Sequence, residues 1–428
     1  MKNLKIYKGN IIFAEVFGEY EIIPNGYIAV ENEFIYGIYE DFPSDLDGYE
    51  LIDFGDKIII PSFCDIHLHA PQFVNRGLGM DKELLDWLEF YTFPEESKYE
   101  DLIYAKKAYK KFVKELWREG TLNAVVFGTI HRDATIELMD IMDEFGINGY
   151  VGKVNMDRNS PDFYIEDTES SIKTTLDFIE QSIDKYNRVK PIITPRFVPS
   201  CTRELMTELG EIADKYDLKI QSHLSENRSE VEWVKELHPE SSSYYDVYKK
   251  YNLIRNNKTV MAHCCWNTDE EIKSMAEDKV FVAHSPYSNT NLSSGIAPIR
   301  KFLNNGVPVG LASDISGGHD ISIRSVISIS AQVSKMRWVY LNSDEESLNS
   351  AELFYLATKG GGAFFEKTGR FKEGYYFDAL VLDDSNLLDI NPRTLEERLE
   401  RYFYIGDDRN IYKRFSSGKE LKEIEADC

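Results

Sequence analysis

Short alternating runs of apolar and polar residues fill positions 1–60. Ile11–Val16, Tyr27–Val30, Phe34–Tyr39 and Lys57–Ile60 carry β-branched and aromatic residues in runs of strand length. Asn25-Gly26 and Asp47-Gly48 stand between them as turn dipeptides. From Pro61 to about Gly369 the texture changes, and buried-looking runs alternate with longer amphipathic stretches. The runs predict strands at Ser62–His69, Asn123–Ile130, Ile147–Asn155, Lys190–Phe197, Lys219–Ser225, Val260–Cys264, Val280–His284 and Val307–Ser313. Asp101–Glu119, Ile136–Phe145, Ser170–Tyr186, Arg203–Tyr216 and Glu230–Leu237 between them have helical spacing. Eight strands, each followed by a helix or a connecting segment, is the count of a TIM (β/α)8 barrel.

After the barrel region the pattern turns β-like again at Phe371–Asp383, and Tyr412–Leu421 has room for one more strand. The expected architecture is therefore α/β: a barrel at 61–369 and a small β-sandwich domain formed by 1–60 with 370–428. No short-period repeat, low-complexity tract or flexible linker interrupts it.

Composition adds mainly exclusions. A net charge of −24 repels phosphates at long range, so neither nucleic acid nor an anionic membrane surface is an expected partner. Met1–Gly18 mixes Lys and Glu among its apolar residues and has no uninterrupted apolar core of a leader. No run approaches the ~18 apolar residues of a membrane span. The cysteines, Cys64, Cys201, Cys264, Cys265 and Cys428, are odd in number and form no C-x-x-C, so neither a disulfide framework nor a thiolate metal site is expected. A reduced, cytoplasmic setting fits.

The chemistry lies in the histidines. His67 and His69, at i and i+2 on a strand, share one face, a spacing that suits two imidazoles on one metal. Alone, H-x-H equally describes two satisfied core histidines. His223 ends the fifth strand, His263 lies near the end of the sixth, and Asp314 follows the eighth. In a barrel these ends meet at one rim, where catalytic groups gather. Imidazoles and a carboxylate converging there point to a metal site, with zinc favoured by the N/O donors. Glu226, three residues after His223, belongs to the loop over the pocket mouth, where a proton shuttle is needed. His284 is open to three readings: a further ligand, a group behind the ligands, or structural; the middle one is favoured. His131 and His319 receive no role, and His238, at a polar helix end, is expected on the surface. The fourth strand reads Thr194-Pro195-Arg196-Phe197, without a Lys or Glu to bridge two ions, so one metal is expected.

These residues also carry a resemblance. Pro61–Asp65 with His67 and His69, then His223, His263 and Asp314, resembles the amidohydrolase superfamily. Longer segments, His69–Gly79, Leu84–Leu88, Thr92–Glu96, Gly152–Asp157, Pro195–Phe197 and Ser222–Asn227, are similar to its guanine deaminase family from about residue 55 to 385. The resemblance implies hydrolysis of guanine to xanthine and ammonia, one Zn2+ per subunit and a homodimer. It implies His67, His69, His223 and Asp314 as zinc ligands, and His263 beside the metal, polarising the bound water. Gln72, Arg196 and Phe197 would hold the purine, with Ala70 and Pro71 beside them, and Glu226 would shuttle protons. Arg196 suits guanine because a guanidinium donates twice to O6 and N7, whereas adenine presents an amino group in place of O6. Ser62, Ser285 and Ser313 depart from the residues usual in the family, without touching a ligand. Two alternatives stay open: a deaminase or chlorohydrolase of another nitrogen heterocycle, such as cytosine, 8-oxoguanine or a triazine, and a catalytically silent scaffold.

Overall fold

The structure, a computed structural model, describes residues 4–388 and 390–424; Cys428 lies outside them. The chain opens with β1 (Leu4–Phe13), β2 (Glu21–Glu31), β3 (Phe34–Tyr39) and β4 (Glu50–Pro61). A central series follows: β5 (Phe63–His69), β6 (Thr121–Phe127), β7 (Asn148–Gly152), β8 (Val154–Asn155) and β9 (Val189–Pro191). It continues through β10 (Thr194–Pro195), β11 (Ile220–Leu224), β12 (Thr259–His263), β13 (Phe281–His284) and β14 (Val309–Leu311). β15 (Ala379–Leu382), β16 (Ile411–Ser416) and β17 (Lys419–Glu420) complete the set.

The central strands are parallel, in the orders β5-β6-β7-β9 and β11-β12-β13-β14, with β8 and β10 paired between them. An isolated parallel bridge, Ile193 to Ile220, carries the pairing on to β11. At the other end, Asp314 N donates to His67 O and His69 N to Ile315 O, each at 3.0 Å. The third and fourth expected strands are each broken in two. Pro191 and Pro195 offer no N–H to a ladder, so pairing passes from one short segment to the next. Helices such as Leu102–Glu119 and Arg203–Lys215 cover the outside. Cys64, Ile66, Val125, Val260, Ala262, Ala283 and Ala312 pack together as a separate inner core.

β5 departs from plain alternation. Its pairing with β6 slips between Asp65 and Leu68, so two residues oppose one. Cys64 and Ile66 then belong to the inner core while Leu68 packs outward. Strict period two would have sent Leu68 inward with Ile66. The bulge instead turns His67 and His69 towards the same interior, a placement bulges commonly produce beside a site.

The terminal segments form one seven-stranded sheet, β17-β16-β15-β4-β1-β2-β3, rather than the two stacked sheets of a sandwich. The sheet curls until its edge returns: Ile35 N donates to Tyr375 O at 2.8 Å and Phe377 N to Glu33 O at 2.9 Å. Tyr7, Phe377 and Phe415 fill the inside of that curl, with ring centroids 4.8 to 5.3 Å apart. Asn25-Gly26 is not a turn, since β2 runs through it. Asn25 takes φ 52° where the register with β1 shifts. A turn dipeptide and a strand irregularity need the same left-handed residue. Among the described residues, no helix is long and apolar enough to cross a membrane.

Arg188, just before β9, ties this sheet to the central strands. Its guanidinium donates to both Asp378 oxygens at 2.9 and 2.7 Å, to Ser417, Asn123 and Thr368, and lies 3.9 Å from the centre of the Tyr376 ring. Burial pushes the Asp378 carboxyl up, but Arg188 and the hydrogen bonds from Ser417 and Thr368 outweigh it and hold the group below the usual range. Because the folded value is depressed, this stabilisation is full above the unfolded pKa and is lost as pH falls through the folded one. Arg188→Met leaves a buried carboxylate without its cation, a change worth roughly 3–5 kcal/mol. Denaturant unfolding at neutral pH should show that loss. The deficit should be largest at neutral pH and narrow as pH falls, because protonation relieves the unpaired Asp378 charge in the variant and removes the ion pair in the parent; unchanged stability would remove Arg188 from this role.

Candidate metal and substrate site

Four strand ends build the site. β5 presents His67 and His69, β11 presents His223, β12 ends in His263, and Asp314 follows β14. The exits are sharply bent, with left-handed backbone at Ser225 (φ 49°), His263 (71°), Cys264 (53°) and Asp314 (46°). Non-glycine residues held there carry local strand-end strain of the kind found at functional sites. Asp65 anchors two of the ends by accepting Ser313 Oγ at 2.5 Å and the His67 amide at 3.1 Å. Burial pushes its carboxyl up to about 7, against those hydrogen bonds.

The donors converge. Asp314 Oδ1 lies 3.1 Å from His67 Nε2 and 3.4 Å from His69 Nε2, and His69 Nε2 lies 3.2 Å from His223 Nε2. His67, His69 and Asp314 are at most 4% exposed, and His223 is 9% exposed. Burial first, and neighbouring imidazoles second, hold His67, His69 and His223 well below the usual histidine pKa. Neutral imidazoles are what a metal requires. His223 Nδ1 meets Arg196 O at 2.6 Å, which leaves its Nε2 lone pair facing inward. Two overlapping groups have the spacing to hold an ion: His67, His69 and His223, and His67, His263 and Asp314. The donor set of imidazole nitrogen and carboxylate oxygen fits a divalent first-row metal.

His263 stands beside this group, with Nε2 3.3 Å from Glu226 Oε2 and 3.7 Å from Asp314 Oδ2. Its Nδ1 is held by Asn289 Oδ1 at 2.9 Å. Glu226 accepts Ser294 Oγ at 2.9 Å. Burial, then the Asp314 charge, push the Glu226 carboxyl up to about 8, with the Ser294 bond opposing.

These groups open on a cavity of about 420 Å³. Gln72 and Arg196 give it polar groups, and Phe197, Leu84, Trp87, Leu88 and Leu292 supply apolar lining. Ala70 and Pro71 are buried in the turn after β5 and do not line it. Arg196 is already paired: Nη1 and Nη2 donate to the two Glu96 oxygens at 2.7 and 3.2 Å. Burial works against the Arg196 charge, but Glu96 more than offsets it. Gln72 Nε2 also donates to Glu96 Oε1, at 2.8 Å.

The remaining histidines fall elsewhere. His284 faces a separate pocket with Arg300, Arg337 and Glu345 rather than the ligands. His238 is buried instead of exposed, 3.4 Å from Arg158. Neither His131 nor His319 lines the cavity. Sequence reasoning assigned no role to Glu96, Asn289, Ser294 or the Leu84–Leu88 wall. Thr92–Glu96 and Leu84–Leu88 stood out only as segments of resemblance, because a lone carboxylate or leucine carries no sign of its spatial partner.

Comparison with known proteins agrees with this geometry. The Amidohydrolase family matches residues 58–421. Guanine deaminase of Dictyostelium discoideum is 41% identical, with 98% of this chain and 99% of that protein covered. The human guanine deaminase is 40% identical over 85% of this chain and 83% of its own length. A crystal structure of guanine deaminase from C. acetobutylicum, with guanine bound in the active site, superposes with a TM-score of 0.96 at 48% identity, covering 98% of this chain and all of that one. The chain belongs to the amidohydrolase family, and within it groups with the guanine deaminases.

Proposed function

We propose that this chain is a guanine deaminase, hydrolysing guanine to xanthine and ammonia. The observation that carries the reading is one cavity lined by His69, His223 and Asp314 together with Gln72, Arg196 and Phe197. Guanine deaminases related over nearly the whole chain support it. The parallel strand series, bridged at Ile193–Ile220 and joined from Asp314 and Ile315 back to β5, supports a closed (β/α)8 barrel at 61–369. Residues 1–60 and 370–428 then form the second domain. A cytoplasmic homodimer is the setting we infer from the family resemblance.

His67, His69, His223 and Asp314 are the residues that would hold one zinc, which when bound supplies a Lewis acid that acidifies water towards neutral pH. The protein's own groups do the remaining work. Phe197 offers a ring face to the purine, and Arg196 with Gln72 offers hydrogen bonds to its polar edges. Glu226, whose carboxyl sits near 8, keeps a proton at neutral pH and delivers it to N3, which makes C2 electrophilic. His263, held by Asn289, stabilises the oxygen added at C2. Asp314 accepts one proton of the attacking water and passes it to the departing amine; as the C2–N bond breaks, the proton left on the added oxygen returns to Glu226, so that ammonia leaves and xanthine remains.

The purified protein should release ammonia and xanthine from guanine in equal amounts and leave adenine untouched. Glu226→Gln should lower kcat by about 10²–10⁴-fold, with metal content unchanged. A fully active variant would take the proton shuttle away from Glu226. Ammonia from cytosine or a triazine in preference to guanine would overturn the substrate.

A further inference from the structure

Glu96 lies in the short helix Phe93–Glu96, remote in sequence from every ligand, yet it is 1% exposed beside the cavity. Its carboxylate accepts three hydrogen bonds from two side chains that line the cavity: Nη1 and Nη2 of Arg196, and Nε2 of Gln72. The Phe93 ring, 5.0 Å from the Arg196 guanidinium carbon, covers the pair. Burying a carboxylate and a guanidinium together costs desolvation, and replacing such pairs by apolar groups is often neutral for stability. A role in the site accounts for the pair better than stability does.

We propose that Glu96 is a positioning residue that sets which hydrogen-bonding edges Arg196 and Gln72 present to the base. A guanidinium has five N–H donors in a fixed plane. Glu96 occupies the end of the fork between Nη1 and Nη2, so the edge left for a ligand is the lateral one, Nε–H with an outer Nη–H. That edge matches two adjacent acceptors, the O6/N7 pattern of guanine. Glu96 also decides the Gln72 amide. Being acceptor-only, it draws Nε2 to itself, and Ser316 N donates to Oε1 at 3.3 Å from the other side. Gln72 is thereby left with one N–H and one lone pair of assigned direction. Finally, the carboxylate neutralises Arg196, so the pocket presents oriented donors rather than a free cation. An uncharged base suits such a pocket better than an anion does.

This inference rests on the guanine reading, and its test separates the two. Kinetics of the parent protein and of Glu96→Gln are measured with guanine. Inhibition constants are measured for hypoxanthine, which has O6 and N7, and for unsubstituted purine, which lacks O6. Mutating a residue that orients site groups typically costs about 10–100-fold. The guanine KM and hypoxanthine Ki should rise by that factor. The purine Ki should move far less, kcat should fall less than KM rises, and metal content should hold. Glu96→Asp keeps the charge but is one methylene short of the fork, and should show the same selective pattern if the Gln variant folds poorly. Equal weakening of hypoxanthine and purine, or no weakening of either, would overturn the positioning role. A parent protein that ignores guanine would overturn the functional reading instead.

Discussion

Everything at the active face depends on holding three neutral imidazoles and a carboxylate against one another out of water. His67 and His69 meet Asp314 at 3.1 and 3.4 Å, and His223 meets His69 at 3.2 Å, where little solvent screens them. Without a cation their lone pairs oppose one another; with one, the same crowding becomes coordination. The rest of the fold supports this arrangement. The β5 bulge turns both histidines inward, Asp65 clamps β5 to the segment after β14, and the left-handed exits at His263 and Asp314 turn the chain where it leaves the strands.

A second buried electrostatic unit borders the same cavity. Glu96, Arg196 and Gln72 form a nearly neutral hydrogen-bonding wall, while Glu226 keeps its proton because burial and Asp314 both oppose its ionisation. In the proposed reaction the Arg196 and Gln72 group serves recognition of the base, and Glu226 serves acid–base chemistry. Both are built on short elements at one end of the parallel strands, where loops vary without disturbing the core.

Much of this was legible in the sequence because the signals are local. The strand runs, the H-x-H pair and the order of His223, His263 and Asp314 needed only periodicity and the rule that parallel strand ends share a rim. What stayed hidden depends on partners distant in the chain. The bulge in β5 is visible only once β6 lies beside it, so the correct inward placement of His67 and His69 was reached through a simpler alternation than the real one. The helix Ile323–Tyr340 is rich in Ile, Val and Ser, residues of modest helix propensity, and is helical through packing. His238 looked like surface because its neighbours are polar, yet Arg158 comes from far upstream to cover it. Glu96 was quoted as part of a resembling segment but not as a site residue, since the Arg196 it pairs with is 100 positions away.

The proposed function turns on a single metal site that enables guanine hydrolysis. Stripping the protein with a chelator and titrating zinc back, while following xanthine formation from guanine, tests it most directly. Activity should rise linearly and break at about one equivalent per chain, as a mononuclear catalytic zinc site requires. A break at two equivalents, or guanine turnover indifferent to added metal, would contradict it.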